Sequence, residues 1–154
     1  MKKFLVSAAA AAVLAAAPAS ASSWIVSGGT AESIPSNNDF NVELAGLGLT
    51  GEQIGANVSI ASGSYVEFWF LGSESGFNDS LTINGINVLT ETTNFTNNFA
   101  SPVYLGTFWV SGALDVLFTN NAGSDGRSAV PGDAGFAVFT GLSDSTVLYF
   151  GYDD

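Results

Sequence analysis

The chain contains no cysteine and no histidine, and only three of its 154 residues are basic, against 14 acidic residues. Without histidine it lacks the commonest general base and a usual zinc or copper ligand. Without cysteine it has neither a thiolate nucleophile nor a disulfide. No glycine-rich phosphate-binding loop leads into a helix. The sequence therefore predicts a protein that is not an enzyme and has no catalytic residues.

Paired carboxylates are the one catalytic chemistry that this inventory leaves open. Two Asp or Glu side chains flanking a glycosidic bond are sufficient for glycoside hydrolysis. Most acids of this chain fall in predicted loops or turns, so no pair can be assigned to one cleft. A carboxylate-based glycosidase is thus an alternative for which the sequence identifies no catalytic pair.

The first 21 residues have the pattern of a secretory signal peptide. Lys2 and Lys3 precede an apolar, alanine-rich run over residues 4–17, and Ala19-Ser20-Ala21 supplies the small residues of a cleavage site. The apolar run is shorter than the roughly 20 residues that span a bilayer. We expect cleavage to leave residues 22–154 outside the cell or at its surface, without membrane insertion. The alternative is an uncleaved anchor.

Cleavage would leave Arg127 as the only basic residue against 14 acidic ones, a net charge of −13. That charge repels nucleic acid and anionic lipid. The expected binding partners are divalent cations or a protein with a basic face. The alternative is that the acidity only keeps a hydrophobic domain soluble.

The remaining composition favours strands. The chain is 47% hydrophobic with 12 Phe, and its short apolar segments are bounded by Gly, Asn, Ser or Asp. We predict an all-β fold, an antiparallel two-sheet β-sandwich or jelly roll of about 9–10 strands, with no helices. A polar segment with one short strand over residues 22–39 would precede a sandwich domain over 40–154. The predicted strands are Trp24–Ser27, Phe40–Leu44, Ala56–Ala61, Ser64–Leu71, Ser80–Asn84, Ile86–Thr90, Val103–Val110, Ala113–Thr119, Gly135–Thr140 and Thr146–Tyr152.

Alternation assigns faces to two of these strands. We expect the core to receive Val66, Phe68, Phe70, Leu114, Val116 and Phe118. The opposite face of the first strand then carries Tyr65, Glu67 and Trp69. If that face is open, its rings beside a carboxylate form a platform for sugars. Alternatively, the rings fill a second interface or lie under a loop.

Two tight turns are predicted from glycine. Asn84-Gly85 lies between two alternating runs and is the preferred type I′ hairpin turn. A second reversal is predicted at Ser111-Gly112. Three glycines between Glu43 and Gln53 argue against a helix there.

Oxygen-rich turns suggest calcium as a cofactor. The loop Ser73–Asp79 brings together Glu74, Asn78 and Asp79 after a strand, and the sequence ends in Asp153-Asp154. Calcium binds six to eight oxygens from carboxylate, amide and carbonyl groups in irregular geometry. The alternative is that these Asp and Asn side chains only stabilise turns.

Three stretches are similar to secreted Gram-negative β-sandwich proteins, including many with PEP-CTERM sorting tails. They are residues 66–80 (VEFWFLGSESGFNDS), 132–139 (GDAGFAVF) and 147–154 (VLYFGYDD). The resemblance implies an extracellular, non-catalytic domain that binds calcium through Glu74, Asn78, Asp153 and Asp154. Such proteins usually continue beyond this point into more acids and another strand, and we expect this protein to lack their sorting tail.

These observations predict a secreted structural or adhesive protein of the cell surface or extracellular matrix. It would self-assemble by strand addition, or bind other surface proteins, with Trp24, Ile25 and Val26 as the donor strand. The alternative function is a calcium-dependent carbohydrate-binding module that uses Tyr65, Glu67 and Trp69.

Overall fold

The structure is a computed structural model that describes residues 3–10, 22–75, 78–93, 95–120 and 127–153. Over these ranges the fold is all-β with two antiparallel sheets, as predicted, and it also contains one short helix, which was not predicted. The elements are β1 Lys3–Ala10, β2 Trp24–Ser27, β3 Thr30–Glu32, α1 Asn41–Gly46, β4 Gly51–Ile54, β5 Asn57–Ser73, β6 Ser80–Ile83, β7 Ile86–Thr90, β8 Thr96–Asn97, β9 Val103–Ala113, β10 Val116–Thr119, β11 Ser128–Ala129, β12 Phe136–Thr140 and β13 Val147–Asp153.

The larger sheet is organised around β5, which has 17 residues. Its strand order is β2-β5-β1-β13-β12-β4-β3, and β8 and β9 also pair with β5. Along one edge of β5, β2 pairs with residues 57–60 and β1 with residues 66–73. The opposite edge pairs with β9 and then β8. The side chains of every strand that pairs with β5 are therefore aligned by their register with β5.

The smaller sheet has the order β11-β10-β6-β7 and packs against the inner face of the larger one. Alternation determines which residues meet there. The core includes the buried side chains of Val66, Phe68, Phe70, Leu81, Ile83, Val116, Phe118, Phe136 and Phe150. Both sets of core residues expected from alternation are buried, including Leu114. The predicted strand faces are thus confirmed.

The Asn84-Gly85 hairpin between β6 and β7 is also confirmed. Both residues have positive φ, 48° and 75°, as a type I′ turn requires. In this position glycine has no Cβ penalty, and asparagine tolerates the left-handed region better than most residues.

A second, smaller core covers part of the outer face of the larger sheet. Helix α1 buries Leu44 there beside Phe40, and the backbone N–H of Leu44 donates to the Phe40 carbonyl at 2.8 Å. The predicted strand Phe40–Leu44 is therefore wrong. Phe40 and Leu44 lie one helical turn apart and share a face, which outweighs the glycines that follow. Within the described ranges, no helix is long and apolar enough to cross a membrane.

Other strand boundaries also differ from the prediction. The segments Ala56–Ala61 and Ser64–Leu71 belong to one strand, β5, with a register irregularity between Ile60 and Ser64. The predicted reversal at Ser111-Gly112 is wrong, because β9 continues to Ala113. The chain then changes sheets, since β10 pairs with β6 rather than with β9. A sheet change and a hairpin both use glycine, so the residue alone does not distinguish them.

Phe118 tests how far the sandwich depends on its aromatic core. Its side chain is fully buried, and its ring lies 5.7 to 6.3 Å from those of Phe136, Phe150 and Tyr152. Phe118→Ala should lower the free energy of unfolding by about 3–5 kcal/mol through lost burial and a cavity. The matched control Ile86→Ala, at a side chain 58% exposed, should cost under about 1 kcal/mol. Urea denaturation measures both, and equal losses would contradict the assignment of the core.

Candidate ligand-binding face

Two pairs of aromatic rings lie across β5 and β9 on the outer face of the larger sheet. Tyr65 is in register with Trp109, and Trp69 with Tyr104. The ring centroids are 5.1 Å apart in the first pair, at an interplanar angle of 70°. In the second pair they are 5.0 Å apart at 54°. The first pair has the edge-to-face geometry that aromatic quadrupoles favour, and the second pair is tilted, so the rings are in contact within each pair.

A β-bulge brings Tyr104 to this face. The register runs from Glu67 opposite Thr107 to Trp69 opposite Tyr104, which leaves one extra residue in β9. Without that residue Tyr104 would point to the core, because a one-residue slip exchanges the faces of a strand. Gly106 in the bulge has a φ of 139°, and a Cβ there would lie 2.8 Å from the Phe108 ring. Glycine is thus required where the bulge forms.

A second glycine makes room for Trp109. A Cβ at Gly63 would lie only 2.5 Å from Cζ2 of that indole, so the ring rests directly against the β5 backbone. The carbonyl of Trp109 accepts a hydrogen bond from the Asn84 side-chain amide at 3.0 Å. The position of Trp109 is therefore set from both sides.

The outer face between the two ring pairs is open and polar. Tyr65, Tyr104 and Trp109 are 49%, 50% and 52% exposed, and Trp69 is half-buried. Glu67 and Thr107 lie opposite each other between the pairs, the first half-buried and the second exposed. The predicted residues Tyr65, Glu67 and Trp69 thus lie together on an accessible surface. We call these four aromatic residues with Glu67 and Thr107 the aromatic face.

An apolar cleft continues the aromatic face beyond Trp69. Its volume is about 340 Å³, and it is lined by Leu47, Trp69, Leu71, Phe99, Pro102 and Tyr149. Leu47 follows α1, and Tyr149 lies on β13, so the cleft is bounded by the second core. Trp69 is both the end of the aromatic face and a wall of this cleft.

Four of the five residues predicted to bind calcium lie in the described parts of the chain, after β5, before β6 and at the end of β13. Glu74 is buried, and its Oε2 accepts a hydrogen bond from the Asp39 backbone N–H at 2.8 Å. Asn78 is exposed, and Asp79 is buried at the start of the smaller sheet. Asp153 ends β13, and Asp154 lies outside the described residues. Among side chains that the structure describes, no three or more acids are arranged to hold a metal ion. The calcium site remains a prediction.

The turn before β13 is held by Asp144. Its Oδ1 accepts hydrogen bonds from the Thr146 hydroxyl at 2.7 Å and from the Thr146 backbone N–H at 2.9 Å. These bonds lower the pKa of Asp144 below its ordinary value of 3.8, the hydroxyl contributing most. Because the pKa of Asp144 is lower in the folded state than in the unfolded state, the ionised carboxylate stabilises the fold at a pH above its ordinary pKa. This stabilisation is lost as the pH falls through the folded pKa.

The predicted donor strand is paired within its own chain. Trp24, Ile25 and Val26 form β2 against β5, and the backbone N–H of Trp24 donates to the Ser145 carbonyl at 2.8 Å. Just before β2, the Ser22 hydroxyl donates to the Ser62 carbonyl at 2.8 Å. The strand thus contributes to the edge of β5 in this structure.

Sequence reasoning did not identify Tyr104 and Trp109. Both belong to a predicted strand, but strict alternation places residues 104 and 109 on opposite faces. The signal that was available is Gly106, which interrupts an otherwise aromatic and β-branched strand, as bulges often do. With the bulge included, the two rings fall on one face.

No protein-family model matches the chain, and no curated protein or solved structure is similar to it by the comparisons made.

Gly63→Ala tests whether the Trp109 ring lies against β5 as described. The new methyl group should displace the indole from Tyr65, changing the near-ultraviolet circular dichroism of the aromatic rings and costing about 1–3 kcal/mol. Gly46→Ala is the matched control, because a Cβ there meets nothing within 4 Å. An unchanged spectrum for Gly63→Ala would show that the ring lies elsewhere.

Proposed function

We propose that this chain is an exported, non-catalytic adhesive protein of the cell surface or extracellular matrix that binds polysaccharide on its aromatic face. The observation that carries the proposal is the arrangement of Tyr65 with Trp109 and of Trp69 with Tyr104 on one open surface. Large aromatic side chains are normally buried, so a row of exposed rings indicates a binding surface.

The chemistry of the face suits sugar rings. Each ring offers an apolar surface to the C–H side of a pyranose, and tyrosine adds a hydroxyl at its edge. Glu67 and Thr107, between the ring pairs, accept or donate hydrogen bonds to sugar hydroxyls. Residues 65 and 69 are separated by about 13 Å along an extended strand. An extended polysaccharide lying along β5 would therefore contact both pairs.

Charge restricts the class of polysaccharide. With Arg127 as its only basic residue after leader removal, the exported chain repels uronate-rich and sulfated polymers. Neutral polysaccharides, or those carrying amino groups, are the expected ligands. Glu67 on the aromatic face is placed to pair with an amino group of the second kind.

The absence of His and Cys from the sequence supports binding without catalysis. Export is supported by the Lys2-Lys3 start, the apolar run and the small residues before Ser22. The aromatic face does not include the residues predicted for calcium, so we propose binding that does not depend on the metal.

Substitution of a single ring should separate binding from folding. Trp109→Ala removes an exposed indole from one of the two ring pairs of the aromatic face, so affinity for insoluble cellulose or chitin should fall at least about tenfold. Phe95→Ala is the control, since that ring is 54% exposed but lies outside the aromatic face. Depletion of protein from solution by the polymer measures both variants.

Binding that is equal in the two variants, or absent from neutral and amino polysaccharides alike, would refute the proposal. The same measurement with millimolar calcium and with a chelator tests metal dependence. Binding lost in the chelator would replace our proposal with a calcium-dependent module.

A further inference from the structure

The segment Lys3–Ala10 forms a strand that has a partner strand on each side. As β1 it pairs antiparallel with residues 66–73 of β5 on one side. On the other side it pairs antiparallel with residues 147–153 of β13. Removing β1 would leave these two edges two strand spacings, or about 10 Å, apart. We call the space between them the β5–β13 slot.

The predicted cleavage after residue 21 removes β1 but leaves the next contacts in place. Ser22 is buried, and its Oγ accepts a hydrogen bond from the Ser62 backbone N–H at 2.9 Å. β2 then continues along the same edge of β5, from Trp24 opposite Ile60. The processed chain is thus held to β5 up to one end of the slot.

We propose that, after processing, the β5–β13 slot takes up an extended strand from a different protein, apolar at alternate positions and basic at its N-terminal end. The inference depends on the export included in the proposed function, and it adds a partner that the aromatic face does not bind. Lys3–Ala10 is the occupant before processing and defines what the slot accepts.

Burial defines the apolar positions. Residue 6 is in register with Phe70 and Phe150, and residue 8 with Phe68 and Leu148. All four of these partners are buried in the main core. An empty slot would expose them to water together with two rows of unpaired backbone groups. A strand with apolar residues at these two positions restores both the core and the hydrogen bonds.

Charge argues for a different protein rather than a second copy. Residue 3 of the present occupant is a lysine in register with Asp153. A second processed copy would bring the same net charge of −13 and no lysine. Attraction therefore favours a partner strand with Lys or Arg at this end and without acidic residues.

The register can be tested in the full chain, made by cell-free synthesis without membranes so that the leader is retained. Because the chain has no cysteine, two introduced cysteines report one contact. Ala9→Cys with Val147→Cys should form a disulfide under mild oxidation, since these residues are opposite each other. Ala9→Cys with Leu148→Cys is the control. Failure of the first pair, or equal cross-linking in both, would overturn the slot.

Exchange of the strand tests the partner chemistry. A protease site placed within residues 12–20 of the full chain allows the leader to be cut after folding. A labelled peptide of residues 2–11 should then replace the cut segment with one-to-one stoichiometry. A Val6→Asp peptide should bind at least about tenfold more weakly because it puts a charge in register with buried rings. A Ser7→Asp peptide is the control, since residue 7 is in register with the half-buried Trp69 and Tyr149.

No uptake of the parent peptide, or equal uptake of both variants, would overturn the proposal. Dimerisation of the cut protein without peptide uptake would overturn the choice of partner in favour of a second copy. The outcome is independent of polysaccharide binding, which is measured on the uncut chain. Failure there would refute the proposed function and leave the slot unaffected.

Discussion

The alternation of side chains along β5 is the constraint on which the rest of the structure depends. Its residues 66, 68 and 70 are buried against the smaller sheet, while 65, 67 and 69 lie on the outer face. Since β9, β8, β2 and β1 all pair with this strand, its register decides which of their side chains reach water. One strand thus organises the core, the aromatic face and the edge at which β1 lies.

The predicted faces and hairpin were correct because local chemistry determines them. Burying Glu67 without a partner would be costly, so the alternate face that carries Phe68 must be the one that faces the core. The dipeptide Asn84-Gly85 favours a type I′ turn over other turns. The aromatic face could be predicted only on the β5 side. The β9 half of the face depends on the bulge at Gly106, and a bulge is defined by the pairing of two strands. Strict alternation along β9 alone therefore places residues 104 and 109 on opposite faces, although the structure has them on the same one.

Other features could not be predicted because tertiary contacts outweigh local preference. Helix α1 ends at Gly46 and is followed by two more glycines, but it buries Leu44 against Phe40, and a sequence pattern does not reveal that these residues cover the outer face of the sheet. The sequence of residues 3–10 has the pattern of a signal peptide. This pattern predicts export and does not predict whether the segment pairs with other strands. An apolar segment of that length also suits a buried strand with partners on both sides, which is how the structure pairs it.

The aromatic face and the β5–β13 slot share a boundary. Trp69 and Tyr149 line the same apolar cleft, but they stand on β5 and β13, the two strands that the slot separates. An occupant that pairs with both strands holds these rings at a fixed separation, two strand spacings apart. If processing empties the slot as we propose, no shared strand imposes this separation, and the proposed occupant restores it. Tyr65 and Trp109 are paired through β9 and Gly63 instead, which makes their half of the face independent of the slot.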